Sequence, residues 1–123
     1  MNRTAVLTIA SLLSILLAIM HLTDDIVRGV SPSGLSLLGG LLVLLVWLYA
    51  TLMLTGRRSG YIIVLLGSLL GTAMPILHMA GKGIVTAGSP LFVWTDLALD
   101  LTAPLAVVLA AQGLWSLRSG KPQ

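Results

Sequence analysis

The sequence predicts an all-α membrane protein, with four transmembrane helices in an antiparallel bundle and one domain across residues 1–123. Three observations carry that expectation. Hydrophobic residues make up 57% of the 123 and charged residues only 9%, against about 25% charge in an ordinary soluble domain. Mean hydropathy is +1.04. The apolar residues gather into four runs, each near the roughly 20 residues that cross a hydrocarbon core. The same figures exclude disorder, because disordered chains are rich in charge and poor in apolar residues.

The first span, Thr4–Leu22, opens after Arg3 and ends ahead of Asp24 and Asp25. A basic residue before an apolar run also suits a signal peptide. No small-x-small cleavage site precedes His21, so the segment is read as a retained helix. Ser31-Pro32-Ser33-Gly34 separates it from the second span, Leu35–Leu54. Proline at or before a helix start is harmless, since its missing N–H has no partner there. Gly56-Arg57-Arg58-Ser59-Gly60 is a tight polar turn into the third span, Tyr61–Met79. Ser89-Pro90 opens the fourth, Leu91–Leu117, which is long enough to tilt or overrun the bilayer.

Basic loops favour the cytoplasmic side. Arg3, Arg57, Arg58, Arg118 and Lys121 share one side, whereas Arg28 and Lys82 share the other with all four acids. Both termini are therefore expected to be cytoplasmic, in a plasma or inner membrane. The net charge of +3 follows from this bias and requires no nucleic-acid partner.

The two halves resemble each other. Ala18-Ile19-Met20-His21-Leu22 is similar to Pro75-Ile76-Leu77-His78-Met79, and Ile26-Val27 to Ile84-Val85. Ser31-Pro32 pairs with Ser89-Pro90, and Arg58-Ser59-Gly60 with Arg118-Ser119-Gly120. A duplicated two-helix hairpin explains these matches, with the copies related by an axis along the membrane normal. Gly67 and Gly71 form Gly-x-x-x-Gly, a pattern that lets helix backbones approach closely. Internal packing is the favoured use of it, ahead of a dimer face or a cofactor slot.

Polar residues inside such spans are few and placed in layers. His21, His78 and Asp100 each lie 17 positions from the cytoplasmic ends of their spans, or about 26 Å at 1.5 Å per residue. Asp25, Lys82 and Asp96 lie one turn further out, each four residues from a member of the first layer. Two imidazoles and a carboxylate suit a zinc, iron or copper site, so His21, His78 and Asp100 are the candidate metal ligands. Asp25, Asp96 and Lys82 complete the candidate ligand pocket as its rim. Haem held between His21 and His78 is a further possibility. A proton or ion relay is another, although the cytoplasmic halves offer little beyond small hydroxyls such as Ser11, Ser14, Thr51 and Ser68. The plain structural alternative makes the same residues helix-end groups, with Asp25–Arg28 a local ion pair and Lys82 paired to Asp25 or Asp96.

Other chemistry is sparse. The chain has no cysteine and no glutamate, which removes thiolate chemistry. Small multidrug-resistance transporters depend on a membrane glutamate, and the vitamin K epoxide reductase group depends on cysteines. The size and span count are similar to those of DoxX-like proteins, without a motif that carries over. No catalytic motif is present, and the reading leans away from an enzyme. Trp47, Tyr49, Tyr61, Trp94 and Trp115 lie near span ends and are expected to anchor at the interface. The sequence therefore points to an outward-facing polar pocket that binds a ligand, with a metal ion or haem first. A non-catalytic accessory subunit of a larger membrane complex is the alternative, and a small proton- or ion-coupled transporter the third reading. Membrane lipid, a second copy or a larger membrane partner are the expected neighbours.

Overall fold

A computed structural model describes residues 2–29, 34–81 and 89–119, without the side chains of Pro75 and residues 77–81. The described residues form four helices and no strand: α1 (Arg3–Val27), α2 (Leu35–Met53), α3 (Arg58–Gly81) and α4 (Pro90–Ser119). Helices α1, α2 and α4 are each long and apolar enough to cross a membrane. The apolar stretch described within α3 covers Arg58–Met74.

Local chemistry explains the ends. Asn2 caps α1, its side-chain oxygen accepting the Ala5 N–H at 2.7 Å. At the other end Gly29 adopts φ +68° and donates its N–H to the Ile26 carbonyl at 3.0 Å, a left-handed stop that glycine enters without strain. Between α2 and α3, Arg57 N–H reaches the Leu54 carbonyl at 3.1 Å, closing a turn around Gly56 at φ +76°. Ser89 caps α4, its hydroxyl accepting the Phe92 N–H at 3.1 Å, with Pro90 in the first helical position.

Helix α4 packs against both α1 and α3, and α2 packs against α3 and α1. The reason lies in α4's small residues. Ala103, Ala106 and Ala110 are fully buried, and Gly113 follows on the same stripe. Small side chains at this spacing let neighbouring helices come close. The Tyr61 ring lies against Gly113 so tightly that any side chain there would collide with it. Gly67 and Gly71 do the same for Trp47: a Cβ on Gly67 would stand 2.5 Å from the indole. The glycine pair is thus used for internal packing, as expected.

The aromatic anchors divide. Tyr49, Trp94 and Trp115 are exposed, the two tryptophans to 72%. Trp47 and Tyr61 are buried in the core, which corrects the interfacial expectation for both. Their glycine partners supply the cavities that receive the rings. Helix ends differ as well: α1 runs five residues beyond Leu22, so Asp24 and Asp25 are helical.

Candidate functional site

The molecule has two chemically distinct ends. At one, which we call the terminal end, Thr4 of α1, Leu54 after α2 and Tyr61 of α3 border a single gap. There Arg3 Nη1 donates to Ser116 Oγ at 3.0 Å. Deeper in, Trp47 Nε1 donates to Ser11 Oγ at 2.8 Å, and Ser11 shares a 2.7 Å hydrogen bond with Thr51. Thr51 in turn donates to the Trp47 carbonyl at 2.9 Å. These hydroxyls are buried and their hydrogen bonds are short, as dry interiors require. The gap they border is only about 10 Å³, barely one water.

The opposite, aspartate end holds charge. Arg28 Nε donates to Asp24 Oδ2 and Arg28 Nη2 to Asp25 Oδ1, each at 2.8 Å. These are i,i+4 and i,i+3 spacings on one helix, where side chains are neighbours. Ser89 Oγ donates to Asp24 Oδ1 at 2.8 Å, so Asp24 ties the last turn of α1 to the cap of α4. Phe92 lies between the two helices. Its ring is 4.9 Å from the Arg28 guanidinium and 4.4 Å from the His21 ring, a cation–π contact on one side and a tilted aromatic pair on the other. Charged groups are costly within a membrane and are found paired and facing inward. This cluster meets both conditions.

His21 is 1% exposed, and its ring is held from both nitrogens. Nε2 stands 3.7 Å from Asp25 Oδ2. Nδ1 stands 3.4 Å from Thr95 Oγ1. The Thr95 hydroxyl hydrogen is directed to its own helix, towards the Leu91 and Phe92 carbonyls at 2.9 and 3.0 Å. With its hydroxyl engaged in this way Thr95 can accept from Nδ1, whereas the other tautomer would turn an Nε2–H towards Asp25. In the ring protonated at Nδ1, Nε2 turns a lone pair towards the Asp25 carboxylate oxygen. In that tautomer a cation between the two would be held by both.

Of the residues singled out by sequence, His21 and Asp25 are brought together. Asp96 is fully buried beside Thr95, and Asp100 is half-buried one turn further along α4. The backbone at Asp100 is special: Pro104 has no N–H, so the Asp100 carbonyl lacks its usual helical donor. The side chain of His78 and the whole of Lys82 lie outside the described residues, as do Ser31-Pro32-Ser33, Ile84-Val85 and Gly120-Lys121. Among the described residues no group of three or more His, Asp, Glu or Cys side chains is gathered closely enough to hold a metal ion.

Sequence reasoning missed the roles of Ser89, Phe92 and Thr95. Ser89 carried a signal, as serine before proline is a helix cap, but its second hydrogen bond to Asp24 depends on how α1 and α4 are rotated. Phe92 is the chain's one phenylalanine and gave no pattern. Compared with protein-family models, curated proteins and solved structures, the chain matches none. Its function is argued from its own geometry.

Proposed function

We propose that the chain is a small polytopic membrane protein whose aspartate end binds a divalent metal ion. In this reading the four helices cross a plasma or inner membrane as an antiparallel bundle, built from a duplicated hairpin, with both termini cytoplasmic. The single observation behind the metal is the facing of His21 Nε2 and Asp25 Oδ2 across 3.7 Å. Two donors each about 2.0–2.2 Å from one zinc ion, at a tetrahedral angle, stand about 3.3–3.6 Å apart. The separation is too long for a good hydrogen bond and close to that of two ligands on one ion. Arg28 on the other Asp25 oxygen and Thr95 at Nδ1 act as supports that orient the two donors. His78 and Asp100 are the further donors that the sequence nominates, with Asp96 and Lys82 around them.

Haem between His21 and His78 remains the runner-up for the same end. Assembly with a second copy or a larger membrane partner is a separate reading. It draws on α2, whose first nine residues, Leu35–Val43, are all exposed apart from Leu37. The test is elemental analysis and an absorption spectrum on protein purified in mild detergent without chelator. The metal reading expects near-stoichiometric zinc, iron or copper, lost in His21→Ala. A Soret band would replace it with haem. A colourless, metal-free protein would overturn both and leave assembly.

A further inference from the structure

A second feature of the aspartate end has no counterpart in the metal reading. Between α1, α2 and α3 lies a cleft of about 500 Å³, within the 300–1,000 Å³ typical of small-molecule sites. It exists because the first half of α2 stands off the bundle while its second half is packed through Trp47, Ala50 and Thr51. Trp47, held over Gly67 and Gly71, walls its deep end. Leu22, Leu44 and Leu70 are among the apolar side chains around it. Gly40 leaves α2 bare there, with nothing within 4 Å of where its Cβ would stand. The polar groups on its lining are Asp25 and Ser36.

Charge selects the occupant. Asp24 and Asp25 share one guanidinium, so these three groups together carry one negative charge beside an apolar cavity. A neutral apolar guest would bring no counter-charge to these described residues, and an anionic one would add to their charge. The groove on the other face of α2, about 320 Å³, is lined by apolar residues and Trp47 alone and offers no such counter-charge. We propose that the cleft binds an amphipathic amine, its apolar body between α2 and α3 and its ammonium donating to the Asp25 carboxylate and the Ser36 hydroxyl. The inference shares Asp25 with the metal reading but needs no metal, so the two fail separately.

Trp47 gives the readout. The chain has three tryptophans, and Trp94 and Trp115 are exposed, so the double variant Trp94→Phe, Trp115→Phe leaves Trp47 as the sole indole. This protein is placed in phosphatidylcholine vesicles with chelator present. It is titrated with a brominated long-chain primary amine, the corresponding neutral alcohol and the corresponding sulfate. Saturable quenching of Trp47 is expected, about tenfold tighter for the amine than for the alcohol, as one charge-assisted hydrogen bond provides. Asp25→Asn should bring amine and alcohol together. The sulfate should bind weakest of the three, and Gly40→Leu, which fills open space and leaves the charge cluster untouched, should abolish saturation for amine and alcohol alike. Equal affinities for amine and alcohol, or unchanged saturation in Gly40→Leu, would overturn the proposal.

Discussion

The terminal end and the aspartate end are built from the same apolar helices, yet they solve opposite problems. At the terminal end the buried polar atoms are hydroxyls and one indole N–H, and their short bonds leave room for barely one water. Aromatic rings fit onto glycines there and close the bundle. At the aspartate end the buried groups are ionisable, their closest imidazole contacts are long, and α2 stands away to leave a cleft. A neutral hydroxyl network is complete in itself. The charged cluster sets an imidazole nitrogen and a carboxylate oxygen 3.7 Å apart, the separation on which the proposed metal site rests. The difference teaches where the bundle is closed and where the proposed ligand has room.

The largest effect should come from breaking the closed end. Gly67→Val drives a side chain into the Trp47 ring, and overpacking of this kind costs about 3 kcal/mol or more. Failure to give folded protein by circular dichroism in detergent is the expected outcome, whereas Gly40→Val at the open end should unfold like the parent protein. Next comes Arg28→Gln, which leaves Asp24 and Asp25 without their cation. Loss of hydrogen bonds to charged groups implies about 2 kcal/mol of destabilisation in chemical unfolding. Arg3→Gln removes an exposed side chain whose buried partner Ser116 keeps its bond to the Gln112 carbonyl, and should stay within about 0.5 kcal/mol.

Ser89→Ala removes both a helix cap and the link to Asp24, and should cost about 1 kcal/mol. Fraying of α4's first turn, seen as faster amide exchange at Phe92 and Val93, would identify the cause. The smallest effect belongs to Trp94→Phe and Trp115→Phe. Both rings are exposed, and stability should change by less than about 0.5 kcal/mol. A large loss at either would mean that an apparently free face is covered.

Much of this contrast was legible in the chain before the structure. Hydropathy placed three of the membrane-length helices to within a few residues at most boundaries, and the i,i+4 spacing of His21 and Asp25 put them on one face. The end of α1 was misjudged because hydropathy stops at charge. The helix goes on through Asp24 and Asp25 because Arg28 and Ser89 compensate them, and that compensation is a matter of geometry. Trp47 and Tyr61 were taken for interfacial anchors because they lie near span ends. The glycines that bury them were visible, but which ring meets which glycine depends on helix rotation, and near-uniform apolar spans specify rotation weakly. The cleft had no signature at all, since exposure of α2's first half is a property of packing.

Thermal unfolding with and without zinc, in the wild type, His21→Ala and Ser11→Ala, tests the central claim most directly. A ligand bound only by the folded state at a hundred times its Kd stabilises by about 2.7 kcal/mol. Wild type and Ser11→Ala should both gain stability on that scale, because Ser11 lies at the closed end, and His21→Ala should gain none. Equal gains in wild type and His21→Ala, or no gain in any of the three, would contradict a metal site at the aspartate end.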